Sequence, residues 1–199
     1  MNPRTESELL FEAFCERHQL AFVRILEDID PRPDYLLTLG SVGIAVEIKQ
    51  LDELSGFSEG GRVVGSHVRK AIDSSRKQMK WAEQQQMPAA LLIYNPVDYH
   101  FQSFGTEEHD FLTAMYGELT INVSSTTRRL GAMYHGQNAK LRYDEKTRFS
   151  GVGHMIRADP PRITIYENAY AALPLPFDDI PQCIHIKRTQ IQPTDIEPQ

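Results

Sequence analysis

The sequence predicts an α/β fold, with a mixed central β-sheet flanked by helices, from three observations. A helix-like segment is followed by three strand-like segments, the last two separated by two turn residues. A long amphipathic segment then precedes the hexapeptide AALLIY, which is apolar throughout, as in a strand buried on both faces of a sheet. The 199 residues, 41% hydrophobic and 24% charged, suit one compact domain. We expect this domain over residues 1–189 and a disordered tail over residues 190–199.

The first third of the chain predicts one helix and a set of strands that begins antiparallel. The predicted elements are a helix over residues 7–18 and strands over residues 20–26, 35–39 and 42–48. Leu10, Phe11 and Phe14 recur at the spacing of one helix face, which indicates the helix. Gly40 and Ser41 separate the last two strands and suit a two-residue hairpin turn with glycine in its first central position.

The rest of the chain alternates helices and strands with less regular segments. The predicted elements are a loop over residues 55–65, a helix over residues 67–86, a strand over residues 89–94, a helix from Thr106 through Met115, and strands over residues 119–123 and 162–166. Four glycines indicate the loop, and apolar residues at three- and four-residue steps indicate the long helix, which Pro88 ends. Residues 128–149 show no clear period.

Several classes of protein are excluded by the sequence. No apolar run approaches the ~20 residues that span a bilayer, and residues 1–7 are polar rather than signal-like. Cys15 and Cys183 are too few for a disulfide framework and form no Cys-x-x-Cys pair. The histidines form no His-Glu-x-x-His pair, and no Gly-Lys-Ser/Thr phosphate loop is present. We therefore expect a cytoplasmic protein with no membrane partner.

Acidic and basic segments alternate along the chain, although the net charge is −6. Residues 1–61 hold 12 acidic and 5 basic side chains, whereas residues 62–80 hold 6 basic and 1 acidic, and residues 128–148 hold 6 basic and 2 acidic. The overall negative charge argues against a protein that coats nucleic acid non-specifically. An acidic site beside basic surface suits a metal-dependent enzyme acting on a polyanion, and ordinary solvated faces would produce the same pattern.

The most informative segment is residues 33–49, PDYLLTLGSVGIAVEIK. A two-residue Gly-Ser turn sets the strand register, and Asp34 then falls opposite Glu47. Because strand side chains alternate, Asp34, Glu47 and Lys49 share one face while apolar side chains fill the other. Two adjacent carboxylates repel each other; Lys49 compensates in part, and a hard divalent cation would do so better. A solvated cluster of charges at a sheet end is the alternative interpretation.

This segment resembles the PD-(D/E)xK phosphodiesterase superfamily, which has the restriction-endonuclease-like fold. The matching residues are Pro33 and Asp34, then twelve intervening residues, then Glu47, Ile48 and Lys49. A glutamate-bearing helix precedes them and a long helix and a buried strand follow, so the resemblance covers residues 6–95. It implies a Mg²⁺-dependent nuclease, with Mn²⁺ as a substitute, that hydrolyses DNA phosphodiester bonds and leaves a 5′-phosphate.

The resemblance also implies roles for individual residues. The implied Mg²⁺ ligands are the side chains of Asp34 and Glu47 and the main-chain carbonyl of Ile48. Lys49 would orient or activate the attacking water. Such enzymes add a glutamate of the first helix, which binds the metal directly or through water. Glu12, in the middle of that helix, is the preferred candidate, and Glu8 is the alternative.

The long helix carries the implied DNA contacts. Gln78 or Lys77 would face the site, and three basic residues at helical spacing would contact phosphates: Arg69, Arg76 and Lys80. We expect DNA as the partner and leave a homodimer open. The alternative function is a catalytically silent nucleic-acid-binding or assembly module that retains the nuclease fold.

Overall fold

The structure, a computed structural model, describes residues 3–26, 30–51, 63–96 and 105–188 of the chain. The helices are α1 (Glu6–Arg17), α2 (Ser66–Ser74), α3 (Arg76–Gln84) and α4 (Glu108–Tyr116). The strands are β1 (Ala21–Arg24), β2 (Tyr35–Leu39), β3 (Val42–Gln50), β4 (Ala89–Tyr94), β5 (Leu119–Val123), β6 (Leu130–His135), β7 (Gly151–Ile156), β8 (Arg162–Glu167) and β9 (Ile184–Lys187).

A seven-stranded mixed sheet lies at the centre, in the order β1-β2-β3-β4-β7-β8-β9. Strands β1 to β3 are antiparallel, whereas β3, β4 and β7 run parallel. Phe11 and Phe14 of α1 pack with Val46 in one hydrophobic core, and Met79 of α3 and Phe111 of α4 belong to a second core. Helices therefore cover both faces, and the predicted α/β class with a mixed, helix-flanked sheet is confirmed.

The β2–β3 hairpin has the register that the sequence predicts. The Cα partners are Tyr35 with Val46, Leu37 with Ile44 and Leu39 with Val42. Gly40 has φ +56°, the positive value that the first central residue of such a turn requires. Because every one of these strand residues except Val42 is buried, a slip of one residue would expose the apolar set.

The prediction of one continuous helix over residues 67–86 is wrong, because the helix is interrupted at Ser75. The hydroxyl of Ser74 donates a hydrogen bond of 3.0 Å to the carbonyl of Ala71. Serine side chains compete in this way for main-chain carbonyls, and serine pairs are a common cause of helix kinks. The apolar stripe continues across the break, since Met79 of α3 is fully buried.

The interior strand β7 was not predicted, because glycine is depleted in strands and two glycines occupy its first half. Both are required by the close approach of β8. A Cβ atom at Gly151 would lie 2.6 Å from Cγ2 of Ile165, and one at Gly153 would lie 2.8 Å from Cα of Ile165. Strands β6 and β9 were not predicted either, whereas β5 and β8 agree with the predicted strands.

Two predicted segments cannot be compared with the structure. The tail over residues 190–199 and most of the loop over residues 55–65 lie outside the described residues. Among the helices of the described part, none has the length and apolar character needed to cross a membrane.

Candidate functional site

Strand β3 continues past the beginning of β2, and this overhang positions the candidate site. Tyr35, the first residue of β2, pairs with Val46, and β3 runs on for four residues beyond that pair, to Gln50. The N–H of Ile48 points to the β2 side of the strand, where it meets the Asp34 side chain. Since the N–H and C=O of one strand residue point the same way, the Ile48 carbonyl faces that side too.

Asp34 takes the place of a further β2 residue. Its Oδ2 accepts a hydrogen bond of 2.7 Å from the N–H of Ile48, and its main-chain carbonyl accepts one of 2.8 Å from the N–H of Ile25. The Asp34 carboxylate lies close enough to Glu47 for its charge to raise the pKa of the Glu47 carboxyl. The predicted juxtaposition of these two carboxyls is therefore present in the structure.

Glu47 carries its carboxyl group in a buried environment, with only 1% of the residue exposed. Burial, and then the charge of Asp34, raise the pKa of Glu47 to about 8, although Lys49 acts to lower it. The ammonium of Lys49 lies 2.6 Å from Oε1 of Glu47, and its side chain is 31% exposed. The buried carboxyl of Glu47 is thus paired with an ammonium group whose side chain is partly exposed to solvent.

The surroundings of the other carboxylate oxygen of Glu47 show whether the site is compatible with a bound cation. Oε2 is buried and has no hydrogen-bond partner among the described residues. In the metal-free protein the raised pKa of Glu47 favours a retained proton on this carboxyl at neutral pH, and a hard cation bound by carboxylate and carbonyl oxygens would take the place of that proton. The described residues contain no group of three or more His, Cys, Asp or Glu side chains that could hold a metal. The donor set is therefore two carboxylates and a carbonyl, which fits Mg²⁺ if water completes its shell.

A cleft of about 780 Å³ lies between α1 and the overhang of β3. Its lining includes Ser7, Glu8, Arg24, Asp34, Ile48 and Gln50. The main-chain N–H of Ser7 donates a hydrogen bond of 3.2 Å to the side-chain carbonyl of Gln50, which joins the helix to the strand. Asp34 lines this cleft and lies close to Glu47, whereas Glu47 and Lys49 are not among the residues that line it, because they alternate with Ile48 and Gln50 along β3.

The two candidate glutamates of α1 have different surroundings. Glu8 lines the cleft with Asp34, and its Oε1 accepts a hydrogen bond of 2.8 Å from Arg24. Burial acts to raise the pKa of Glu8, but hydrogen bonds from Thr5 and Arg24 outweigh it and lower the pKa. Glu12 instead accepts a hydrogen bond of 2.8 Å from the Tyr35 hydroxyl. The geometry therefore favours Glu8, the alternative, over Glu12, the preferred candidate.

Arg69, predicted to contact phosphates, makes extensive contacts within the protein. Its guanidinium donates to the carbonyls of Val64, Thr113 and Asn138 and lies 3.6 Å from the carboxylate of Glu118. Its side chain is 13% exposed. Arg69 therefore joins α2 to α4 and to the segment after β6, and these contacts leave little of it for a ligand.

The other predicted DNA contacts lie on α3. Arg76, Lys77 and Lys80 are exposed, as a phosphate-binding face requires. Gln78 is half-buried, and its Oε1 is buried without a hydrogen-bond partner among the described residues. The roles assigned to these four residues stay predictions.

Two residues of the cleft were missed at the sequence level, Arg24 and Gln50. A signal for Arg24 exists, because alternation along β1 places it on the same face as Phe22, toward the glutamates of α1. Gln50 lies one residue beyond Lys49 and gave no signal beyond the strand pattern.

Comparisons with known proteins identify no relative of this chain. No protein-family model, no curated protein and no solved structure matches it. The geometry of the site therefore carries the functional argument.

Proposed function

We propose that this chain is a Mg²⁺-dependent nuclease of restriction-endonuclease-like fold that hydrolyses DNA phosphodiester bonds. The observation that supports the proposal best is the environment of Glu47. Its carboxyl is buried against Asp34 and 2.6 Å from Lys49, and one oxygen lacks a partner among the described residues. Burying two adjacent carboxyls costs free energy, and a bound cation offsets that cost.

The cation would be held by Asp34, Glu47 and the main-chain carbonyl of Ile48, and Glu8, which forms no three-carboxylate group with them, would act through a water. When bound, Mg²⁺ lowers the pKa of a coordinated water and stabilises negative charge on a phosphate oxygen; Mn²⁺ supplies the same chemistry. The ligands are all oxygens, as these hard cations prefer.

The protein side chains account for positioning. The hydrogen bond from the Ile48 N–H fixes Asp34, so that a carboxylate stands at the mouth of the cleft before substrate arrives. Lys49, held by Glu47 and partly exposed, would orient the attacking water. Arg24 lines the same cleft and provides positive charge that would neutralise a phosphate.

The alternative function, a silent nucleic-acid-binding or assembly module, explains less. A binding surface has no use for a buried carboxyl whose pKa is raised to about 8. Substitution of Glu47 by an apolar residue would remove that cost, since buried charges are often replaced by apolar groups without loss of stability. The presence of Asp34, Glu47 and Lys49 together therefore favours the enzyme.

A cleavage assay tests the proposal. The full chain is incubated with single-stranded, double-stranded and branched DNA in MgCl₂, MnCl₂ or EDTA. We expect cleavage with either metal, none in EDTA, and a loss of at least about a hundredfold in Glu47→Gln. Glu16→Gln, which changes an exposed glutamate of α1, is the matched control and should cleave like the wild type. Equal cleavage by Glu47→Gln would overturn the proposal.

A further inference from the structure

Strands β5 and β6 form a two-stranded antiparallel sheet that is separate from the central sheet. We call residues 119–135 the ribbon. Leu119, Ile121 and Val123 alternate along β5 and so share one face, and they are 55%, 43% and 59% exposed. Leu130, the partner of Val123, is 73% exposed. Soluble proteins seldom expose such a contiguous apolar face unless it binds something.

The base of the ribbon is held on the body of the protein, because the N–H groups of Lys140 and Leu141 donate to the carbonyls of Ala114 and Met115 in α4, each at 2.9 Å. Further contacts join the two stems of the ribbon to each other. The N–H of Glu118 donates to the carbonyl of Gln137 at 2.9 Å, and the His135 ring bonds the carbonyl of Gly117 at 2.8 Å. Gly117 has φ +97°, and a Cβ atom there would lie 2.7 Å from the carbonyl oxygens of Gly136 and Gln137, which follow β6. The ribbon thus projects from a fixed base rather than from a loose linker.

The tip of the ribbon consists of hydroxyl and guanidinium side chains. The residues between the strands are Ser124, Ser125, Thr126, Thr127, Arg128 and Arg129, and all are exposed. The N–H of Arg128 donates to the carbonyl of Ser124 at 2.8 Å, and the N–H of Ser124 donates to the carbonyl of Arg129 at 3.0 Å, so the turn is internally bonded. Residues 119–143 contain four basic side chains and no aspartate or glutamate.

We infer that the ribbon is a second DNA-binding element, which enters a groove of duplex DNA and contacts the backbone through Arg128 and Arg129. The inference rests on the proposed function for the identity of the partner. Arg, Ser and Thr are the side chains that bind phosphate oxygens, and the strands alone span ~17 Å at ~3.4 Å per residue. A two-stranded ribbon fits the ~12 Å major groove, and apolar side chains of such elements pack against sugars and bases.

A polyanion fits this surface better than a second copy of the chain does. Two ribbons packed face to face would bring the arginines of both tips together, and the acidic residue at the base, Glu118, is already bound by Arg69 and Asn138. Like charges repel, whereas a phosphate backbone complements both arginines and leaves the apolar face in contact with the groove.

Binding of a fluorescent 30-base-pair duplex, measured by anisotropy in EDTA over a series of KCl concentrations, tests the inference. In Arg128→Ser/Arg129→Ser we expect at least tenfold weaker binding at 0.1 M salt and a log K against log salt slope flatter by about 1.8. Arg128→Lys/Arg129→Lys should restore the slope, since lysine keeps the charge. In Ile121→Thr/Val123→Thr we expect several-fold weaker binding with an unchanged slope, because apolar contacts release no counterions.

The matched control is Arg17→Ser/Arg162→Ser, which removes two exposed charges on α1 and β8, away from the ribbon. It should bind like the wild type. Equal loss in the control, or wild-type binding by the tip variant, would overturn the inference, as would a wild-type dimer that dissociates in Ile121→Thr/Val123→Thr. If the wild type cleaves DNA but the ribbon variants bind normally, the ribbon assignment alone fails. If the tip controls binding but no DNA is cleaved, the nuclease proposal alone fails.

Discussion

The carboxylate of Asp34 accepts a hydrogen bond of 2.7 Å from the main-chain N–H of Ile48, in the adjacent strand. This bond replaces the strand pairing that β2 would have made if it were longer, and it presents the same carboxylate to Glu47 and to the cleft. Asp34 therefore stabilises the open end of the hairpin through this hydrogen bond. At the same time its charge, next to Glu47, lowers the stability of the hairpin.

Asp34→Asn should leave the metal-free protein as stable as the wild type or make it more stable. The amide oxygen still accepts from Ile48, while repulsion toward Glu47 is lost. Mg²⁺ at a hundred times its Kd should stabilise the wild type by about 2.7 kcal/mol and the variant much less. Thermal melts of both proteins, with exposed Asp144→Asn as the control, measure this. Destabilisation of the metal-free variant with equal metal shifts would show that Asp34 has only a structural role.

Lys49→Ala should reduce cleavage by about 10² to 10⁴-fold, because the ammonium serves the attacking water. Metal and DNA affinity should change only a few-fold, since Lys49 is not a ligand. Single-turnover rates with saturating enzyme measure the effect, and Lys187→Ala, which alters a side chain 40% exposed on β9, is the control. A single-turnover rate equal to that of the wild type would contradict this mechanism.

Loss of the Glu47 proton should lower the stability of the metal-free protein as the pH rises from about 4.5 to about 8, whereas buried His154, whose pKa is lowered by desolvation, acts in the opposite direction below about 6.5. In that window the folded state keeps the proton of Glu47 while the unfolded state, with the ordinary pKa of 4.5, has lost it. The folded state binds more protons, so the free energy of unfolding falls with pH, by at most about 1.4 kcal/mol per unit. Urea titrations at several pH values should show a smaller decrease in Glu47→Gln. If the free energy of unfolding changed with pH equally in the two proteins, Glu47 would not be the cause of the change.

Glu8→Gln should weaken Mg²⁺ binding more than Glu12→Gln does, because Glu8 lines the cleft with Asp34. Glu12→Gln should mainly affect stability, through its contact with Tyr35. Calorimetric titration with MnCl₂ and a thermal melt of each variant separate the two effects. If Glu12→Gln weakened metal binding more than Glu8→Gln did, Glu12 would be the glutamate of α1 that belongs to the site.

Arg69→Ala should destabilise the fold by about 1–3 kcal/mol, because it removes hydrogen bonds to carbonyls on separate elements. Arg76→Ala/Lys80→Ala should leave stability within about 0.5 kcal/mol and flatten the salt dependence of DNA binding by about 1.8 in slope. Melting curves and salt titrations of both variants check this. An unchanged salt slope in the double variant would assign those residues to an ordinary solvated face.

The hairpin and its charged residues could be predicted because period-two alternation and a two-residue turn determine the register locally. The contribution of α1 could not, since Glu8 and Glu12 lie one helical turn apart and only packing against the sheet distinguishes them. Strand β7 was hidden because the reason for Gly153 is the backbone of β8, which is adjacent in space and distant in sequence. The role of Arg69 was hidden for the same reason, since its carbonyl partners come from three separate segments.

The overhang of β3 also provides a spectroscopic reporter. The amide proton of Ile48 is protected by a side chain rather than by a neighbouring strand. Its NMR chemical shift and its hydrogen-exchange rate therefore respond to the charge and position of the Asp34 carboxylate, while the amides of β4 report the sheet itself. Occupation of the cleft can thus be followed at one backbone amide of the isotope-labelled protein, without a substrate or a chromophore.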